Sequence, residues 1–378
     1  MKFISRLILL VTLIVGLVYL RYILEDTHQD QTFPPLCTGY NPSVKPQPKY
    51  NIFKLGPFKY LDNYKNPCWR NDQKKVQCLP YFYLAGMPKC GTTDLYDKII
   101  KHPEIAPLQK STGYHWITRH RFREENPGFK YFVNCRQHVV PSIEKLTVLY
   151  PRDSSQLYHP MITGDAGTST FWDHSHWPLV PGNENCSSPR ITNAMMLHHL
   201  FPATKIIVIL RNPTDRLYSD YVYFRKNVSQ EQFHDYCKQS IILFKECEKK
   251  HGVRYCVHNS SIVNQFKVRI HIGLYSIYMA DWLDVFPRNQ ILPIKLDDYS
   301  KNPTKTFTEI FSFLGVASLN QEEIQKIIDG AKKNVGTRKQ NMGAMKSETR
   351  TMLNKFHAPF NKVMAVQMKD ETFLWLRE

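Results

Sequence analysis

The chain has 378 residues, 42% of them hydrophobic, and a formal net charge of +17 at neutral pH. That length accommodates one large α/β domain with appendages, and a sequence pI near 9.4 points to nucleic acid, an anionic membrane surface or an acidic soluble substrate. No zinc-finger spacing, RNA-recognition signature or long basic tail is present, so nucleic acid is set aside as a partner.

In chain order, Lys2 and Arg6 precede an apolar run from Leu7 to Leu20, in which only Thr12, Gly16 and Tyr19 are not aliphatic, and Tyr22–Leu24 extend it after Arg21. Such a run lies at the short end of what spans a bilayer. Glu25 and Asp26 follow where a removed leader would carry small residues, which favours a retained anchor. The positive flank places residues 1–6 in the cytosol and makes 7–24 a type II transmembrane signal anchor. Residues 25–78 are then a luminal stem and 79–378 the folded domain. Three glycosylation sequons, at Asn185, Asn227 and Asn259, and nine cysteines suit a disulfide-permissive lumen. Proximity pairs Cys68 with Cys78 and two of Cys237, Cys247 and Cys256. An odd total leaves one thiol over, for which Cys90 is the candidate.

Residues 32–75 are rich in Pro, Asn, Lys and Tyr without sustained periodicity, and Phe53, Phe58 and Tyr60 are aromatic groups that would dock this stem on the domain. Residues 81–96 then read as a short apolar strand, a glycine-bounded loop and the first turns of a helix. Gly86 and Gly91 permit backbone angles that other residues resist. The N–H groups between them, with the helix start at Thr92 and Thr93, form an anion cradle into which Lys89 brings a positive charge. The glycine separation matches a nucleotide-binding P-loop, but Thr92 stands where that motif has lysine.

The helix over 94–101 stops ahead of Pro103. Residues 109–123 are basic and aromatic, including Lys110, His115, Trp116, Arg119 and Arg121. They are either a solvated helix face or the wall of a groove for an anionic polymer, with Trp116 offering a flat face to a sugar ring. Residues 161–165 form a buried strand. Residues 205–210 are a continuous apolar run suited to a parallel sheet covered on both faces, ending in Arg211 with a helix starting at Pro213. Residues 225–262 look like a surface insertion. An amphipathic helix over 273–286, a strand over 290–295 and a helix over Pro303–Leu314 follow. Residues 331–346 are polar and basic, and an aromatic-rich run ends near Trp375. Strands alternating with helices indicate an α/β fold with a mostly parallel sheet flanked by helices.

In such sheets ligands bind beyond the carboxyl ends of the strands, where both the loop around Lys89 and Arg211 should lie. An NTPase needs a magnesium-binding carboxylate near this edge. This chain has arginine, whose fork of donors binds phosphate and repels a metal, so no metal is required. Ser219 lies eight residues on, near the same helix face.

The run Pro88-Lys89-Cys90-Gly91-Thr92-Thr93, together with Arg211 through Ser219, resembles the two donor-binding motifs of PAPS-dependent sulfotransferases. Gly273-Leu274-Tyr275, Trp282-Leu283 and Phe356 through Asn361 resemble carbohydrate sulfotransferases of the Golgi. The wording of residues 86–96 is most similar to N-acetylgalactosamine 4-sulfate 6-O-sulfotransferases acting on chondroitin sulfate. The resemblance covers about residues 80–376. It implies the P-loop-NTPase-like sulfotransferase fold and PAPS (3′-phosphoadenylyl sulfate) as sulfuryl donor. Lys89, Cys90, Gly91, Thr92 and Thr93 would hold the phosphosulfate, Arg211 and Ser219 the 3′-phosphate, and Arg338 and Lys339 would lie on a basic loop closing over the nucleotide. The acceptor would be an anionic glycosaminoglycan, chondroitin or dermatan sulfate, with heparan sulfate or a glycolipid as the alternative. The other partner implied is the Golgi membrane, through the N-terminal helix; a homodimer is an assembly that the sequence leaves open.

One departure stands out. Relatives carry a glutamate before the aromatic pair that Lys110-Ser-Thr-Gly-Tyr-His-Trp116 lacks, and an unactivated hydroxyl needs a base within reach. His115 is the first candidate, its ordinary pKa being suited to neutral pH. Asp165 is the second, and with Trp116 and Arg119 it would face the acceptor. Without a base the chain would be an impaired donor- or glycan-binding homologue.

Overall fold

The central strand of the fold is Phe82–Gly86, all five residues of which are buried. The computed structural model describes residue 37 and residues 45–108, 115–123, 125, 128–150, 153–226, 228–330 and 342–376. The anchor expected over 7–24 and the tail before it lie outside these residues. No helix among the described residues is long and apolar enough to cross a membrane.

The strands are β1 (Cys68–Arg70), β2 (Val76–Cys78), β3 (Phe82–Gly86), β4 (Ile105–Ala106), β5 (Val148–Tyr150), β6 (Asp153–Tyr158), β7 (Ile162–Asp165), β8 (Lys205–Leu210) and β9 (Ile291–Lys295). Five of them form one sheet in the order β4-β7-β3-β8-β9, and every pairing in it is parallel. Both faces are covered, which is why β3 and β8 are apolar without alternation. The packing is close. A side chain at Gly164 would put a Cβ 2.2 Å from Cζ of Phe82, so only glycine lets β7 lie beside that ring.

The helices that matter below are α1 (Thr92–Ile99), α2 (Pro213–Phe224), α3 (Gln230–His251), α4 (Tyr275–Leu283), α5 (Pro303–Leu314) and α6 (Ser347–Met368). α2 and α5 each start with proline in the first turn and an asparagine whose side chain caps the helix, as the local chemistry favours. The strands at 161–165, 205–210 and 290–295 and the helices from Pro213 and Pro303 fall within one residue of the sequence reading. The helix expected over 273–286 is shorter, with Ile270–Gly273 as a 3₁₀ turn ahead of α4.

The surface insertion expected over 225–262 is a correction. Its α3 spans 22 residues and packs a second core, in which Phe233, Phe244 and Cys237 meet Leu217, Ile270, Phe356 and Phe360. α6 joins the cores: Leu353 and Phe356 enter the second, Met364 and Met368 the first. Burying each large side chain of this kind contributes roughly 1.5–3 kcal/mol.

The stem aromatics dock as expected. Phe58 lies 4.7 Å from the ring of Trp69 and 5.4 Å from Phe129, and Phe53 lies 5.0 Å from His199. Among the described residues, Ile52 and Trp69 already belong to the main core, with Phe53, Leu55, Phe58 and Tyr60 packed against it, so packing starts earlier than residue 79. Disulfides join Cys37 to Cys186, Cys68 to Cys78 and Cys247 to Cys256. Cys90, Cys135 and Cys237 lie outside them, so three thiols, not one, are left over. Of the sequon residues, Asn185 is exposed, Asn259 caps the short helix Ser260–Val263 through its side chain, and Asn227 lies outside the described residues.

Candidate functional site

Because β3 and β8 are parallel neighbours, paired from Phe82 opposite Lys205 to Gly86 opposite Val208 with a one-residue register shift between Leu84 and Gly86, the segments that follow them emerge together at one sheet edge. The ladder runs one step into the loop, where Met87 N donates to Ile209 O at 2.9 Å. The sheet therefore delivers Lys89 and Arg211 to the same place.

The turn between β3 and α1 is made by two residues in the left-handed region, Lys89 at φ +67° and Gly91 at φ +86°. Such a turn aims successive N–H groups into one concavity. A Cβ at Gly91 would lie 3.0 Å from Cδ1 of Leu296. Lys89 has a Cβ and takes up a conformation that costs an L-residue about 1–2 kcal/mol. α1 begins at Thr92 without a side-chain cap, so its first N–H groups and the positive end of its dipole are offered to an anion. Thr92 is buried and Thr93 half-buried. Cys90 is fully buried with Sγ 4.0 Å from Oη of Tyr275, and burial pushes its thiol up to about 11. Its side chain stays protonated, and the residue serves the turn through its backbone.

The Lys89 ammonium sits 3.6 Å from the centre of the Tyr223 ring on α2. Burial lowers its pKa, Asp220 pulls it back up, and Arg211 and Arg269 push it further down. Asp220 is itself shared: Arg269 Nε donates to it at 2.8 Å, and Arg216, with no exposed surface, lies 3.5 Å away. Cations thus outnumber the single carboxylate around Lys89, and a bound anion would relieve their mutual repulsion. Arg211 is half-buried, its carbonyl accepting from Oη of Tyr275 at 2.9 Å. Ser219 is half-buried on α2.

On the far side of β3, Nδ1 of His115 lies 2.6 Å from Oγ of Ser169, which is 2.7 Å from Oγ1 of Thr118. Ser169 belongs to the loop after β7, and that loop borders the donor turn. Phe171 N donates to Ala85 O at 2.9 Å, and Thr168 O lies 3.7 Å from where a Gly86 Cβ would be. Burial lowers the His115 pKa and Arg119 lowers it further, so the ring is neutral at neutral pH, the form a base requires.

Two expectations about the acceptor side change. Trp116 is 4% exposed and stacks on Phe132 at 4.5 Å; its face is filled by protein and offers no platform to a sugar. Asp165 is buried and its carboxylate is engaged by the fully buried guanidinium of Arg136, an ion pair that ties up the group as a base. Arg119 keeps an accessible side chain and donates from Nε to Asp173 at 2.6 Å. Lys110, Arg338 and Lys339 lie outside the described residues.

The sequence reading missed Ser169, Tyr223, Asp220 and Arg269. The spacing of Arg216 and Asp220, four apart on a helix, signals an ion pair. Nothing local marks Arg269, which reaches the site from a different element. Among the described residues, His174, His258 and Asp281 form one buried group with ligand-type atoms within 4.8 Å of one another. Asp281 accepts from Arg254 at 2.5 Å and His174 Nε2 from Asn193 N at 3.2 Å, a buried polar knot.

A sulfotransferase-domain family model matches residues 80–368. Carbohydrate sulfotransferase 15 of Homo sapiens is 33% identical over 381 residues, covering 86% of this chain and 67% of that protein. The Mus musculus protein of the same name is 33% identical over 80% of this chain, which spans 55% of the mouse protein's length. The bifunctional heparan sulfate N-deacetylase/N-sulfotransferase 2 of Homo sapiens is 23% identical over 76% of this chain and 27% of its own. With an anion-binding turn at the sheet edge and a matching domain over most of its length, this chain belongs to the sulfotransferase family.

Proposed function

We propose that the protein is a PAPS-dependent carbohydrate sulfotransferase that passes a sulfuryl group to a sugar hydroxyl of a glycosaminoglycan, C6 of N-acetylgalactosamine 4-sulfate in chondroitin or dermatan sulfate. The observation that carries this reading is the convergence of the uncapped α1 N-terminus, Lys89 and Arg211 at one sheet edge, an arrangement with more positive charge than its single carboxylate offsets. The residues fit a donor with two anionic ends. The 88–93 turn would take the phosphosulfate, and Arg211 and Ser219 the 3′-phosphate. When bound, the donor supplies the sulfuryl group and leaves as adenosine 3′,5′-bisphosphate.

The chain's own contribution is positioning and electrostatics. Lys89 and the α1 N–H groups neutralise charge where it builds on the departing oxygen. His115 is held through Nδ1 by Ser169 at 2.6 Å, and Ser169 by Thr118 at 2.7 Å; in the tautomer that carries its proton on Nδ1, Nε2 is the unprotonated nitrogen that takes the proton of the acceptor hydroxyl. The chondroitin-type acceptor rests on the wording of residues 86–96. Three disulfides and the sequons support a luminal Golgi setting behind the N-terminal anchor.

The test is transfer of labelled sulfate from PAPS to a panel of glycans by the purified protein. Label at C6 of chondroitin 4-sulfate units is the expected result. Label in heparan sulfate alone would move the acceptor, and donor binding without transfer to any glycan would overturn the enzymatic reading.

A further inference from the structure

Beside the Lys89 turn the surface opens into two adjoining cavities of about 570 and 350 Å³. Arg225 and Lys267 line both, and the smaller reaches Asp220 and Arg269, the pair that flanks Lys89. The wall between is an alternation of cations and aromatic rings. From the Lys89 ammonium on the Tyr223 ring, the ring of Phe224 lies 4.8 Å from that of Tyr223. The Arg269 guanidinium lies 4.3 Å from the Phe224 centroid, and that of Arg225 lies 5.6 Å from the centroid of Tyr236. Arg225 is fixed by donating from Nη2 to Lys267 O at 3.0 Å.

Tyr223 and Phe224 are adjacent yet 56% and 59% exposed, although both sit on a helix that otherwise turns its aromatic residues inward. Aromatic faces left to solvent between cations suit a ligand with apolar sugar faces and regularly spaced anions. Among the described residues the one carboxylate lining these cavities, Asp220, is committed to Arg216 and Arg269, so this lining carries a net positive charge.

We infer that this groove, walled by Arg225, Lys267 and Arg269 and faced by Phe224 and Tyr236, binds the extended chain of an acidic sulfated polysaccharide and leads it to the transfer site. The inference rests on the proposed transfer reaction for its biological setting. It differs from the sequence reading by placing the polymer contacts on α2, α3 and the 264–269 segment, away from residues 109–123. Arg225 and Lys267 contact chain units remote from the reacting hydroxyl, and Lys89 lies at the near end.

The experiment uses the intact protein with size-defined chondroitin 4-sulfate oligosaccharides. Binding is followed calorimetrically without donor, and transfer is followed separately with PAPS. In the R225A/K267E double variant the dodecasaccharide should bind at least tenfold more weakly, and its KM should rise by a similar factor. The KM of a tetrasaccharide should change less than twofold, and the KM of the donor should hold. Arg225→Lys should recover most of the loss, and an unchanged melting temperature separates these effects from unfolding.

Equal losses for short and long acceptors, or unchanged dodecasaccharide binding in the double variant, would overturn the groove while leaving transfer intact. Equal competition by a single-stranded oligonucleotide at the same salt concentration would reduce the groove to a general anion surface and also overturn it. Loss of dodecasaccharide binding in the variant, with no transfer by the wild-type protein, would uphold the groove and refute the reaction.

Discussion

The ammonium of Lys89 rests 3.6 Å from the centre of the Tyr223 ring, so the donor turn after β3 is held against α2 by a cation–aromatic contact. A half-buried cation–aromatic contact contributes about 0.5–2 kcal/mol. Tyr223→Ala should therefore lower kcat/KM by roughly two- to thirtyfold, while Tyr223→Phe, which keeps the ring, should stay near wild type. Steady-state kinetics with varied donor concentration checks this, with the larger share of the loss expected in kcat if Lys89 acts in the transition state.

Arg211 and Ser219 should matter for the nucleotide more than for the glycan. A hydrogen bond to a charged group contributes about 1.5–3 kcal/mol. Arg211→Ala is expected to weaken binding of adenosine 3′,5′-bisphosphate by about ten- to a hundredfold or slightly more, and Ser219→Ala by less. Calorimetric titration of that nucleotide measures both.

The pH profile reports on His115. Its pKa lies below the ordinary 6.5 through burial and then Arg119. The neutral ring is the active form, so kcat/KM should be flat above about pH 6.5 and fall as pH drops through the lowered value. His115→Ala should remove about 10²–10⁴ of the rate together with the acid limb. Retention of the acid limb in that variant would transfer the role to another group.

Acid should also unfold the protein. Burial, then Arg216, holds His271 and His357 down to about 3 in the folded state, against 6.5 unfolded. Both are neutral in the fold and pick up protons on unfolding, so their stabilisation is complete above pH 6.5. It is lost as pH falls from there toward 3, at up to about 1.4 kcal/mol per unit for each ring. Melting temperature against pH should decline from about 6.5 downward. Asp165→Asn is a separate stability test. It leaves the fully buried Arg136 without its carboxylate, and should cost about 3–5 kcal/mol, seen as a loss of soluble protein or a large drop in melting temperature.

What could be read beforehand follows local chemistry. β8 and α2 were legible because an uninterrupted apolar run followed by Arg211-Asn212-Pro213 specifies strand, exit and helix start within a few residues. The Lys89 turn was legible for the same reason, its glycines and its strand lying together in the chain. The fate of Trp116 was not, since an aromatic among basic residues looks the same whether Phe132 covers it or a sugar does. Likewise 225–262 resembled an insertion because its cysteines and sequons are surface features, while its core partners Ile270, Phe356 and Phe360 come from distant stretches. Arg269 and Ser169 reach the site through folding alone.

The central claim is that the turn at Lys89 holds the donor for sulfuryl transfer. The most direct measurement compares wild type and Lys89→Ala in the incorporation of labelled sulfate from PAPS into chondroitin 4-sulfate, with melting temperature recorded alongside. The account predicts wild-type incorporation and a fall of about 10²–10³ in kcat for the variant at an unchanged melting temperature. Turnover by Lys89→Ala close to that of the wild type would contradict it.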